Sequence, residues 1–294
     1  MKTIHFHVGS GRCGSTLIQA LFNEPAMHQV FARASLQYDP HLYLVMGKMT
    51  PFNRFVESKW RDFRKARFAP LKTSNSDRFF LTQENYFGVN WEKGSSNTCE
   101  ASCKVIKYLT DGFHVRIVIL IRRQDTYFES LYNQLIKRQE TRDFPTFLKE
   151  MPLRNFDWAA VADVYAKHFG HDNVTVLPFE RKVLNAAGMK DFIDAVLAAI
   201  GITQKINFEN LPVVNPSLAP RVIEVQRLAN KLLSELESHN LANWFEQHIQ
   251  KRPDEPHMLM SGKDRKRLLK FYRKSNERLF AEYLTRFDPA YYLG

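Results

Sequence analysis

Three cysteines in 294 residues are too few for a disulfide framework. Cys99-x-x-x-Cys103 has no second ligand pair at zinc-like spacing, and Cys13 stands alone. A disulfide-stapled module and a zinc ribbon are therefore set aside, and a reducing, cytoplasmic setting is expected. No stretch approaches the roughly 18 consecutive apolar residues of a spanning helix. The first strand candidate begins at Thr3, so no secretory leader is expected. Internal repeats and low-complexity linkers are absent from the sequence. Acidic residues are also in short supply, 31 against 42 Lys and Arg, for a net charge of +11. That imbalance suits anionic partners: a phosphorylated nucleotide, an acidic glycan, a membrane face or a nucleic acid.

What is present reads as α/β. Strand candidates cover 3–8, 29–34, 78–83, 115–121 and 173–177, with helical segments between them. Such alternation predicts a three-layer fold, a central parallel sheet flanked by helices, with ligands beyond the carboxyl ends of the strands. The length fits a single domain over 1–294, with 215–294 as an all-helical extension packed on it. Two apolar rows in that extension read as core packing: Val222, Val225, Leu228, Leu232 and Leu236, then Leu268, Leu269, Tyr272, Leu279 and Tyr283.

The richest signal is the first turn. A strand through His7-Val8 runs into Gly9-Ser10-Gly11-Arg12-Cys13-Gly14-Ser15-Thr16, and a helix follows at once. A glycine-rich turn into a helix N-terminus is an anion site, because the first N–H groups are unpaired and the helix dipole favours negative charge. The nucleotide loop pattern is G-x-x-x-x-G-K-[ST]. Gly9, Gly14 and Thr16 fit it, but Ser15 occupies the lysine position and the nearest cation is Arg12. The loop is built for a phosphate, with its cation moved toward the loop's start.

A second cation lies at the end of the apolar run Ile117–Ile121. Arg122 closes that strand, and Ser130 follows eight residues later on a helix. A strand-end guanidinium suits forked contact with phosphate oxygens, and a hydroxyl two turns along can add a hydrogen bond. Arg123 reads either as a second phosphate contact or as a solvated charge.

The two motifs together resemble the PAPS-dependent sulfotransferase family, in its bacterial, envelope-polysaccharide type. The loop 7–16 is in register with that family's first signature, Arg12 standing in the lysine's place. Gln19 is similar to a glutamine of bacterial relatives, and the Arg122/Ser130 spacing matches the second signature. Looser likeness runs through Phe179-Glu180, Val214-Asn215-Pro216 and Ser275-Asn276. The resemblance implies that Gly11, Arg12, Cys13, Gly14, Ser15 and Thr16 hold the 5′-phosphosulfate of PAPS, and that Arg122 and Ser130 hold its 3′-phosphate. It also implies transfer of a sulfuryl group to an acceptor hydroxyl, on a saccharide or glycolipid, leaving adenosine 3′,5′-bisphosphate and needing no metal. Arg12 would be catalytic through charge stabilisation, and Glu84, at the end of the 78–83 strand, is the expected general base. Asp39 and His41 are reserves for that role. The R-K-G-x-x-G loop of many cytosolic members is missing, and no residue is assigned to the adenine ring. A Mg-ATP kinase of the P-loop class and a non-catalytic binder of anionic polymers are the rival readings. The sequence leaves the oligomeric state open.

The stretch Lys59-Trp60-Arg61-Asp62-Phe63-Arg64-Lys65-Ala66-Arg67-Phe68 is the densest in positive charge. It reads as a surface helix whose aromatics, with Phe52, Phe55 and Val56, face the core. A glycan or nucleic-acid platform is the competing reading.

Overall fold

The structure, a computed structural model, describes residues 1–38, 57–92, 94–180, 188–203, 217–249 and 259–293. Among these, five strands form one sheet in the order β2-β3-β1-β4-β5, and every pair is parallel. The strands are β1 (Thr3–Gly9), β2 (Leu36–Tyr38), β3 (Arg78–Thr82), β4 (His114–Ile121) and β5 (Val174–Pro178). Around them lie α1 (Ser15–Phe22), α2 (Pro25–Arg33), α3 (Glu57–Arg67), α4 (Ala69–Thr73), α5 (Cys99–Leu109), α6 (Gln124–Ile136), α7 (Phe144–Glu150), α8 (Trp158–Phe169), α9 (Met189–Ala199), α10 (Pro220–Ala229), α11 (Glu235–His248), α12 (Gly262–Glu282) and α13 (Ala290–Leu293). Parallel strands need crossover connections, and helices supply them. β1 and the last five residues of β4 are buried on both faces, as their near-continuous apolar runs require. This is the α/β fold with a parallel sheet flanked by helices that the alternating pattern predicts.

The register places the functional loops side by side. His7 of β1 pairs with Thr82 of β3, and Gly9 pairs with Leu120 of β4. Ile121 of β4 pairs with Pro178 of β5. The segments leaving β1, β3, β4 and β5 therefore emerge at one edge as neighbours. The chain runs from β1 to the edge strand β2, returns to β3 beside β1 and then crosses to β4 on the other side, so the winding reverses between β1 and β4. A crevice outside the carboxyl ends is the usual consequence.

One expected strand is a helix. Residues 29–34 fall largely in α2, which has Pro25 in its first turn and buries Met27, Val30 and Phe31. That i, i+3, i+4 spacing is helical, and a proline fits the first turn because its missing N–H is not needed there. The edge strand comes later, as the three residues of β2.

The charged stretch forms α3. Trp60 and Phe63 are buried, as is Phe68 after the helix, while Arg61, Lys65 and Arg67 face solvent. Trp60 packs edge-on to Tyr86 with ring centroids 6.2 Å apart. Phe52, Phe55 and Val56 lie outside the described residues.

Beyond residue 217 every described element is helical, and α12 packs on α6 and α8. Leu268, Leu269, Tyr272 and Leu279 are buried as expected. The other row is not core. Val222 is buried, but Val225, Leu228, Leu232 and Leu236 are exposed, Leu232 by 88%. The cause is a polar anchor on the opposite side of α10. Gln226 Nε2 donates to Ser238 O at 3.0 Å, and Asn230 Nδ2 donates to Ile136 O at 2.8 Å. Seating these buried amide donors turns the 225/228/232 row outward. Among the described residues no helix is long and apolar enough to cross a membrane.

Candidate functional site

The turn after β1 is held open by its own backbone. Ser10 N donates to Leu120 O at 3.3 Å, and Cys13 N donates to Ser10 O at 3.2 Å. Arg12 has φ 74° and Gly14 has φ 89°, both left-handed. For Arg12 this costs about 1 kcal/mol, a strain that proteins tolerate mostly at functional turns. Gly14 has a second constraint: a Cβ there would meet the Phe179 ring at 2.7 Å. Gly14 stands at the N-cap of α1 and offers no capping side chain, so the helix start faces the loop through its backbone.

Cys13 is fully buried, and burial pushes its thiol well above the ordinary value. It fills space beneath the loop. Its side chain does not face the crevice, and its N–H is taken by Ser10. Gly11, Arg12 and Gly14 stay partly accessible, Thr16 is exposed and Ser15 is buried.

The two cationic motifs meet. Arg12 Nε donates to Ser130 Oγ at 3.0 Å, joining residues 118 apart in sequence. Burial, then the neighbouring Arg122, pull the Arg12 guanidinium below its ordinary value. Two guanidinium groups facing one crevice repel each other, and an anion between them removes that cost.

Arg122 is fixed from three sides. Its Nε donates to Thr126 Oγ1 at 3.2 Å and lies 3.7 Å from Glu180 Oε1. Its carbonyl accepts from Trp158 Nε1 at 2.8 Å. Glu180, just beyond β5, also accepts from Arg123 N at 2.9 Å and from the Thr126 hydroxyl at 2.8 Å. It thereby caps the start of α6 while bracing Arg122. Burial raises the Glu180 carboxyl, while Arg122, Thr126 and Arg123 act in the opposite direction. The sequence shows Glu180 only as a strand-end acid. Its reach across to the end of β4 depends on the β4–β5 pairing, which no local pattern encodes.

Arg123 is neither a phosphate contact nor a solvated charge. Its guanidinium makes paired bonds to Asp125 at 2.6 and 2.7 Å, donates to Tyr291 O at 2.7 Å and lies 3.8 Å over the Tyr291 ring. Asp125 is fully buried and also pairs with Arg265 of α12. Asn276 of α12 accepts from Gln124 Nε2 at 3.0 Å. The C-terminal helices thus clamp the first turn of α6, next to Arg122.

Glu84 follows β3, whose end is tied to β1 by Gln83 N donating to His7 O at 3.0 Å. Its carboxylate faces the loop: a Cβ on Gly11 would stand 3.6 Å from Glu84 Oε2. Burial raises the Glu84 carboxyl, and Ser15 and Arg12 partly offset that rise. Tyr127 was not marked by the sequence, yet it is buried beside the loop. Burial pushes its phenol up, with Cys13, Ser10, Glu84 and Arg12 as its electrostatic neighbours. His5 and His7 are buried within β1, and burial lowers them to about 4 and about 3. Both are neutral structural groups at ordinary pH. Gln19 Nε2 donates to Thr82 Oγ1 at 3.4 Å, behind the loop. Asp39 and His41 lie outside the described residues.

The donor set is that of an anion cradle: a helix start behind a glycine, two guanidinium groups and the Ser130 hydroxyl, with a carboxyl of raised pKa beside them.

No protein-family model matches the chain. It is 27% identical over 171 residues, 57% of its length, to an uncharacterized protein of Archaeoglobus fulgidus, and the match spans 45% of that protein. Over 99% of both chains its fold is similar to the crystal structure of a sulfotransferase from Alicyclobacillus acidocaldarius, with a TM-score of 0.50 and 15% identity. The likeness is one of α/β fold.

Proposed function

We propose that the chain is a sulfotransferase that uses PAPS as donor and a hydroxyl compound, a saccharide or glycolipid, as acceptor. The observation that carries this reading is the hydrogen bond from Arg12 of the loop to Ser130 of the second motif, with Arg122 as the neighbouring cation. A kinase loop has a lysine where Ser15 stands, whereas here the loop cation comes from Arg12 and is held by a hydroxyl of the second motif.

The residues divide the work as follows. The loop N–H groups and Arg12 bind the 5′ end of the donor, and Arg122 with Ser130 binds the 3′-phosphate. When bound, the donor supplies the sulfuryl group and leaves as adenosine 3′,5′-bisphosphate. Arg12 opposes the negative charge that grows on the departing phosphate, and its fixed position avoids reorganisation at that moment. Glu84 takes the proton of the acceptor hydroxyl. Its carboxyl, raised by burial, is a stronger base once ionised than a solvated one, which suits proton removal nearer neutral pH. Glu180 and Thr126 keep Arg122 aimed into the crevice.

Calorimetry with adenosine 3′,5′-bisphosphate in metal-free buffer, beside ADP and Mg-ATP, tests the reading. Binding that needs the 3′-phosphate and no metal is expected. Preference for Mg-ATP would replace it with a kinase, and binding of none of the three would leave a nucleotide-free fold.

A further inference from the structure

A second cationic site lies at the other end of the sheet. A cavity of about 290 Å³ opens between α3, α4 and the end of α5. Arg61, Arg64 and Lys65 of α3 and Lys72 of α4 line it, together with Tyr108. The i, i+3, i+4 spacing on α3 sets three of these cations on one helix face. Phe68 and Leu109 form an apolar floor.

The position follows from the strands. Lys72 Nζ lies 5.8 Å from the Phe113 ring centre, and His114 begins β4. Arg122 follows the last residue of β4. Eight residues at about 3.3 Å each put the two regions about 26 Å apart. The cavity is therefore no part of the crevice that holds Arg12 and Arg122.

The cavity is partly preorganised. Arg64 Nη2 bonds Asp111 at 2.6 Å, and its guanidinium lies 5.0 Å over the Tyr108 ring. α3 itself is anchored by Trp60 and Phe63 in the core. Arg61, Lys65 and Lys72 are exposed, and no carboxylate lines the cavity among the described residues. An apolar floor with an aromatic wall suits a ring, and a rim of cations suits charged substituents on it. A bare inorganic ion would use only the rim.

We infer that this cavity binds an anionic organic ring, a sugar unit carrying a phosphate or sulfate ester, at a site separate from the crevice at the carboxyl ends of the strands. The ester oxygens meet Arg61, Lys65 and Lys72, and the ring lies against Tyr108 over Phe68 and Leu109.

The test is calorimetry on the full chain with glucose 6-phosphate and glucose 6-sulfate, alongside glucose and inorganic phosphate and sulfate. Arg61→Gln and the double variant Lys65→Gln/Lys72→Gln alter only exposed cations. Both esters should bind better than glucose and better than the inorganic ions. The double variant should lose about tenfold or more in affinity, as expected for two charge-assisted contacts. Binding of adenosine 3′,5′-bisphosphate, measured in parallel, should not change. If neither ester binds at millimolar concentration, if the variants bind as the parent does, or if inorganic phosphate matches the ester, the inference fails. Preference for one ester over the other would identify which group the rim prefers.

Discussion

The two ends of the sheet both carry clustered cations, but they hold them differently. At the carboxyl ends, Arg12 and Arg122 are partly buried, and each guanidinium is tied to a hydroxyl: Ser130 for one, Thr126 for the other. At the amino ends, Arg61, Lys65 and Lys72 are exposed, while Arg64 is held by Asp111 at 2.6 Å. Net charge attracts anions to both, because long-range attraction depends on the sum of charges. Discrimination between anions needs fixed donors, because an aimed group does not have to reorganise. The carboxyl end thus holds its cations fixed, as the proposed donor site requires. The amino end is built for attraction, with its selectivity resting on Tyr108 and the apolar floor.

The strongest way to break this contrast is at the proposed proton acceptor. Glu84→Gln keeps the size and polarity of the side chain but removes the base. Transfer should fall on the order of 10²–10⁴-fold while binding of adenosine 3′,5′-bisphosphate persists, measured by single-turnover assay and calorimetry. In the parent protein the proposed transfer should speed up as pH rises through a carboxyl value displaced upward by burial, since the ionised form is the one that takes the proton. A rate independent of Glu84 would move the base elsewhere.

Next in size is Arg12→Ala. Losing one preorganised charge donor should lower turnover on the order of 10²–10³-fold, with a smaller loss of product-nucleotide affinity. The reverse split would make Arg12 a binding group alone. Arg122→Ala should cost on the order of 10–100-fold in affinity for nucleotides with a 3′-phosphate and leave ADP little changed. Arg61→Gln, at the other end, should leave both affinities unaltered. An equal effect of the two arginine variants would erase the distinction between the ends.

The smallest effect concerns stability. His5 and His7 titrate at about 4 and about 3 in the fold, below the ordinary 6.5. The unfolded chain takes up their protons first, so their contribution is complete above pH 6.5 and is lost as pH falls from there through 4 toward 3. The denaturant midpoint should drop across that window, and His5→Gln should flatten part of the drop. An unchanged slope would mean that other groups govern acid unfolding.

Much of the fold was legible because it is written locally. The apolar β-branched run before Arg122 and the glycine turn after His7 are short-range patterns, and both lie where those patterns put them. Residues 29–34 read as extended from their own apolar content, whereas Pro25 and the earlier Met27 complete a helical face with Val30 and Phe31. The Val225/Leu228/Leu232 row shows another limit. Periodicity reports that a face is apolar and does not report whether anything covers it. Around the crevice, the loop and Arg122 could be named from spacing. Glu180, Tyr127 and the fate of Arg123 could not, since each depends on chain segments brought together by β4–β5 pairing or by the docking of the C-terminal helices.

The most direct test of the central claim is the ratio of affinities for adenosine 3′,5′-bisphosphate and ADP, without metal, in the parent, Arg122→Ala and Arg61→Gln proteins. The account predicts a large ratio in the parent, a ratio near one in Arg122→Ala and a parental ratio in Arg61→Gln. A parent that binds both nucleotides equally, or an Arg122→Ala protein that keeps the full ratio, would contradict it.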